Sequence, residues 1–208
     1  MLVKSSIEDF SRILGSSSPA PGGGSVAALS GSLGADLVSM VCGLSIGKED
    51  YEPFHNELAE VLADAQTLSK GLLERIDLDA KAFNGVMAAF KMAKETEEEK
   101  QLRKEAIQKG FKEAVLSPLG IARECLDVLK LSEKLLGKSN SNALSDLGVA
   151  SQQAYAGLEG AVTNVKINIP SIKDEVFITE ISSEITNIIN DGTKIKDGIY
   201  KYVNENIG

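Results

Sequence analysis

Tryptophan is absent from this chain, aromatic residues make up only 5% of it, and it holds one histidine and two cysteines. Each shortage narrows the chemistry. With His55 as the one imidazole, a serine nucleophile activated by a histidine base is not expected. Cys42 and Cys125 stand far apart, and no H-x-E with C-x-x-C occurs, which removes the zinc deaminase arrangement. The two thiols read as small buried side chains in a reducing compartment, so the cytoplasm is the expected location. Cations are the minority, 22 Lys and Arg against 30 Asp and Glu, for a net charge of -8. No basic stripe is interleaved with aromatics, so no nucleic-acid partner is expected. Phosphate loops of the Walker and G-x-G-x-x-G kinds are missing too.

A signal peptide is not expected either, because "MLVKSSIEDF" has no apolar core. Between Gly22 and Gly47 the only charge is Asp36. That stretch is built of Gly, Ser and Ala with a few Val and Leu, too weakly apolar to span lipid. A central, buried helix is expected there, and no membrane partner.

What is abundant is helix. The sequence predicts an all-α, single-domain bundle over residues 1–208, with about five to seven helices, several of them long. Ser5-x-x-Glu8 reads as a capping box opening a first helix to about Leu14. "SSSPAPGGGS" ends it, and a second helix runs from about Gly23 to Ser45. Along it Gly24, Ala28, Gly31 and Ala35 form a small-residue stripe that admits a close neighbour. A third, about Tyr51 to Lys94, carries Leu58, Val61, Ala65, Leu68, Leu72, Ile76, Phe83, Val86 and Phe90 at helical spacing. The fourth opens at "TEEEK", with acid at its positive end, and Pro118 predicts a kink or break within it. The fifth covers about Ala143 to Asn168. The last, about Asp174 to Val203, has a coiled-coil-like seam of isoleucines from Ile178 to Tyr202. That seam leaves open a non-catalytic reading, in which the chain is a helical assembly protein.

Candidate chemistry concentrates in four places. Asp79 in "ERIDLDAKAF" falls in or beside the apolar stripe of the third helix, three residues after Ile76 and four before Phe83. Desolvation there would raise its pKa and suit it to proton transfer; pairing with Arg75 one turn earlier is the plainer alternative. Asn140, Asn142, Ser145 and Asp146 cluster at a helix start, where capping is their ordinary role. Asn164 and Asn168, one turn apart, could read the donors and acceptors of a heterocycle or cap a helix end. Gly22, Gly23, Gly24 and Ser25 place free amides at a helix start, fit for an anion or for close packing.

In their order, "SPAPGGGSVAA", "DLDAKAF", "TEEEKQLRKEAIQKGFKEAVLSPL", "SNSNALSDLGVA" and "VTNVKINI" resemble the cyclodeaminase/cyclohydrolase family, the folate domain at the C-terminal end of formiminotransferase-cyclodeaminase. The resemblance runs from about Ile7 to Tyr202. It implies an all-helical fold, a homodimer or larger ring, and a tetrahydrofolate derivative as substrate, with no further cofactor or metal. It places the proposed catalytic carboxylate in the motif Asp79-Ala80-Lys81-Ala82-Phe83, on Asp79 and not on Asp77. Gly22, Gly23, Gly24, Ser25, Asn140, Ser145, Asp146 and Asn168 fall on its other signature positions, and the resemblance makes them pocket residues. The implied activity is formiminotetrahydrofolate cyclodeaminase, with methenyltetrahydrofolate cyclohydrolase as the alternative. A formiminotransferase on a separate chain is a conceivable partner. One departure is visible: the family's Pro-Lys pair before the acidic run reads Ala93-Lys94 here.

Overall fold

The helical periodicities are realised in a computed structural model that describes residues 1–207. Among the described residues there are six α-helices and no strand: α1 (Ile7–Leu14), α2 (Gly23–Gly43), α3 (His55–Phe90), α4 (Glu97–Lys134), α5 (Leu144–Asn168) and α6 (Glu175–Asn206). The local signals explain most boundaries. Thr96 caps α4 in a full capping box, its hydroxyl accepting from the Glu99 amide while the Glu99 carboxylate accepts from the Thr96 amide. Asp174 caps α6 through Phe177 N–H. At α1 the cap is one residue later than expected, Ser6 with Asp9 in place of Ser5 with Glu8.

α2 is the hub. It runs antiparallel to α3 on one side, where the Ser32 and Ser69 hydroxyls meet at 3.2 Å, and antiparallel to α5 on the other. α4 lies behind it, and α6 packs on α4 and α5. Small residues make this close layering possible. A Cβ at Gly31 would come 2.5 Å from Cys125 Sγ, and one at Gly157 would come 2.7 Å from the Ala27 carbonyl. By length and composition α2 could cross a membrane, but here α3, α4 and α5 pack on it; the central helix expected from the sequence is buried on those sides, while Leu33, Met40 and Leu44 on the remaining face are exposed. Cys42 and Cys125 are both buried thiols, and burial pushes Cys42 up to about 11.

Two expectations are corrected. The isoleucine seam of α6 is consumed inside the chain: Ile181, Ile185, Ile188 and Ile199 are buried, and Leu158 sits where a Cβ at Gly192 would go. It is not a free oligomerisation seam. Of the kink or break expected at Pro118 the break does not occur: α4 runs through it as one helix, and the Ala114 carbonyl, left without its N–H partner, accepts from Asn168 Nδ2.

Candidate active site

Beyond the N-terminal end of α2 lies a cavity of about 470 Å³. Its walls come from the Pro19–Gly24 turn, the C-terminal half of α3, the middle of α4 and the last turn of α5. Most of the lining is apolar: Phe83, Val86, Met87, Phe90, Phe111 and Ile167. Asp79 is the one ionisable side chain among the lining residues.

One glycine of the run, Gly24, makes room for this carboxyl. A Cβ on Gly24 would collide with Asp79 Oδ1, Cγ and Oδ2 together, so only glycine lets α3 bring the acid against the start of α2. The Ser25 hydroxyl lies 3.0 Å from the Ile76 carbonyl and 3.4 Å from Asp79 Oδ2, and the Ser25 amide also faces the carboxylate. Burial raises the Asp79 pKa above its ordinary value, and the Ser25 hydrogen bonds oppose that rise in part. The desolvated acid can therefore hold or release a proton nearer neutrality than a surface aspartate.

The plainer alternative for Asp79 fails. Arg75 donates to Glu124 at 2.7 Å and makes no pair with Asp79. Asp77 is occupied elsewhere, accepting from the Leu2 amide at 2.6 Å.

Asn164 and Asn168 both reach the cavity. Asn164 Nδ2 donates to the Gly160 carbonyl, and Asn168 Nδ2 to the carbonyls of Ala114 and Asn164. Those acceptors fix which end of each amide is nitrogen. Among the described residues neither Oδ1 has a donor, so both remain available as acceptors. Gly22, Gly23 and Gly24 line the same cavity; Ser25, fully buried, supports it from behind.

Asn140, Ser145 and Asp146 do not belong to this pocket within one chain. They sit at the opposite end of α2 and α5, about 30 Å away along a helix of this length. Asn140 is a structural tie: its amide donates to Ser45 Oγ, its Nδ2 to the Leu44 carbonyl, and its Oδ1 accepts from Asn142. Ser145 is exposed and Asp146 half-buried in the first turn of α5. Capping accounts for Asn140, and the antiparallel run of α2 and α5 carries the whole cluster away from Asp79. Nearby, Gly43–Leu44–Ser45–Ile46–Gly47 has G-x-S-x-G spacing, but it ends a helix, and Ser45 is buried and donates to the Val41 carbonyl. It offers no nucleophile.

Sequence reasoning placed Phe83, Val86 and Phe90 in a core stripe; the structure turns them into cavity wall, with Phe83 and Phe90 39% and 44% exposed. Phe111, Pro118 and Ile167 were not anticipated. The proline inside a helix was the one available signal, since a freed carbonyl in α4 requires a donor from a neighbour.

An all-α bundle that floors an apolar cavity with glycine, one desolvated acid and two amide acceptors has the make-up of an acid–base pocket. Comparison with known proteins gives the family. The model of the formiminotransferase-cyclodeaminase family matches residues 6–187, and the chain belongs to that family. It is 40% identical to the methenyltetrahydrofolate cyclohydrolase of Methylorubrum extorquens over 201 residues, 97% of each chain. It is 34% identical to the formimidoyltransferase-cyclodeaminase of Rattus norvegicus over 190 residues, 91% of this chain and 35% of that one. The chain thus spans about a third of that longer relative. The crystal structure of formiminotetrahydrofolate cyclodeaminase from Thermotoga maritima superposes with a TM-score of 0.84 at 26% identity, covering 99% of this chain and 97% of the other.

Proposed function

We propose that this chain is a tetrahydrofolate one-carbon enzyme that closes 5-formiminotetrahydrofolate to 5,10-methenyltetrahydrofolate with release of ammonia. Asp79 is its general acid and base. The observation that carries the reading is Asp79 itself, the sole ionisable group on the cavity wall, desolvated and held against the glycine turn.

In the proposed reaction the 10-nitrogen attacks the protonated formimino carbon, and a tetrahedral carbon forms between the 5- and 10-nitrogens. Asp79 takes the proton from the 10-nitrogen and returns it to the amino group, so that the carbon–nitrogen bond breaks and neutral ammonia leaves. Positive charge stays on the N–C–N bridge, where the Asp79 carboxylate favours it in a dry pocket. The Asn164 and Asn168 oxygens suit the amine and ring N–H donors of a reduced pterin. No group beyond the folate is required. The reading includes a homodimer and a cytoplasmic location. A formiminotransferase on another chain would supply the substrate.

A second reading is favoured by the full-length 40% identity to a methenyltetrahydrofolate cyclohydrolase. There Asp79 takes a proton from water as it adds to the methenyl carbon. That proton passes to the 5-nitrogen as its bond to carbon breaks, and the second water proton leaves to solvent, giving 10-formyltetrahydrofolate.

Both are tested by offering formimino- and methenyl-tetrahydrofolate separately. Growth of the methenyl chromophore with ammonia supports deamination, and loss of that chromophore beyond the uncatalysed rate supports hydrolysis. Inactivity in both rejects the folate reading.

A further inference from the structure

Asp77 stands two residues before Asp79, about 200° round α3 from it, on a side of the helix that the proposed chemistry does not use. Its carboxylate accepts from two successive backbone amides, Leu2 at 2.6 Å on Oδ1 and Val3 at 3.4 Å on Oδ2. Both donors belong to a single 3-10 turn, Leu2–Lys4, at whose start the first amides have no partner within the turn.

Little else fastens the chain that precedes α2. Among the described residues, every other hydrogen bond of residues 1–20 stays inside that segment. α1 buries none of its residues. Leu2, Val3 and Phe10 add half-buried apolar contacts with the core. The segment is thus a loop over the surface that leaves the body at Leu2–Ser5 and returns at Pro19–Pro21, with Asp77 as its polar fastening.

Both legs of the loop meet at one place. Leu2 and Ser5 on the outgoing leg and Ala20 on the return line a cavity of about 460 Å³, together with Asp77, Ala80 and Lys81 of α3. Ala20 and Ala80 also line the Asp79 cavity, so two small side chains are shared by both spaces.

We propose that Asp77 is a positioning residue for the reaction: by fastening the Leu2–Lys4 turn to α3 it holds this loop closed and keeps Pro19 and Ala20 in place as part of the substrate cavity's wall. Its kinetic consequence rests on the folate reading, whereas the latch itself rests on the two hydrogen bonds and the course of the loop.

The physical effect is pre-organisation. A loop tied at both ends leaves its return leg little freedom. Untied at Leu2, residues 1–20 regain that freedom and must be ordered again whenever substrate binds. The bound substrate and the transition state bear that cost equally, so KM rises while kcat stays. Asp79, which carries the proton, has the opposite signature. The two aspartates of "DLD" therefore divide the work, one holding the wall and the other moving the proton.

Trypsin reads the latch. Lys4 lies in the fastened turn, and Arg12 lies in α1, beyond it. Asp77→Leu removes both acceptors at similar volume and should speed initial cleavage after Lys4 about 10–100-fold, as expected when hydrogen bonds to a charged acceptor are lost. Initial cleavage after Arg12 should change less than about twofold, and the helical circular dichroism should be retained. Asp77→Asn, which keeps one oxygen for the Leu2 amide, should lie between.

Kinetics read the consequence. On the folate that the wild type turns over, Asp77→Leu should raise KM about tenfold with kcat within about twofold, and Asp77→Asn should raise KM less. Cleavage after Lys4 that is no faster in Asp77→Leu overturns the latch. A freed Lys4 with KM unchanged, or a loss confined to kcat, overturns the positioning role. A wild type inactive on both folates, with Lys4 freed by Asp77→Leu, rejects the functional reading and supports the latch.

Discussion

Asn168 donates from Nδ2 to the Ala114 carbonyl at 3.2 Å, and Ala114 is the residue whose helical partner would have been the N–H that Pro118 lacks. A side chain at the end of α5 thus repairs the ladder of α4 at the wall of the cavity. The pairing is testable by a double-mutant cycle. Asn168→Ala should cost about 1–3 kcal/mol by leaving that carbonyl unsatisfied. In a Pro118→Ala background the restored N–H should remove much of that cost, which denaturant unfolding would read as non-additivity. Strict additivity would mean that the contact contributes nothing.

Asp79→Asn separates chemistry from stability. Turnover should fall on the order of 10²–10⁴ while folate binding persists. The acid limb of the wild-type rate profile should lie above 3.8, the ordinary value from which burial raises this carboxyl. In stability the sign is the reverse of a salt-bridged acid. Between 3.8 and the raised value the folded chain holds a proton that the unfolded chain has released, so stability falls as pH rises through that window. Removing the charge should therefore raise the melting temperature at pH 7. That gain should shrink as pH is lowered through the window and vanish near pH 3.

Gly24→Ala should be a site variant more than a fold variant. The added methyl must displace the Asp79 carboxyl from the start of α2, so activity should fall about as far as in Asp79→Asn, with the helical circular dichroism retained. Gly31→Ala makes the contrast, since its methyl meets Cys125 and Leu72 deep in the core. That change should lower stability by about 1–3 kcal/mol. Equal loss of activity per unit of lost stability in the two variants would argue against the special place of Gly24.

Arg103 holds the aromatic wall. Its guanidinium donates twice to the Phe90 carbonyl at the end of α3, at 3.3 and 3.1 Å, and lies 5.7 Å from the Phe90 ring centre. Phe90 in turn meets Phe111 edge to face at 6.0 Å. Arg103→Ala should raise KM about two- to fivefold with little change in kcat, because it loosens a binding wall and leaves the proton carrier in place. Arg103→Lys, which keeps the charge but loses the fork, should fall between. A change confined to kcat would show that the wall does something other than bind.

The order of the helices was open to reading because it rests on local chemistry. Capping residues, three-and-four spacing and the Pro-Gly turn act within a few residues of where they stand, and α2, α4, α5 and α6 begin or end within a residue or two of where those signals put them. Asp79 stood out by the same local rule, as an acid on the apolar side of its own helix. Its companions were less legible. Asn164 and Asn168 are legible as two amides one turn apart, but only the fold shows that one of them satisfies Pro118's orphaned carbonyl.

Periodicity along one chain dictates which residues are helical and which acid lies against apolar neighbours. Which helix faces meet is set by packing in three dimensions. The isoleucine seam of α6, periodic enough to be an interface, lies inside the chain, while Leu33, Met40 and Leu44 of α2 are exposed. The two signatures cluster apart for the same reason. α2 and α5 run antiparallel, so Asn164 meets Gly23 while Asn140 meets Leu44 at the other end. Hydrophobic spacing reports that a face will be covered, but not by what, because burial is non-directional and the partner is chosen by packing among all the helices at once.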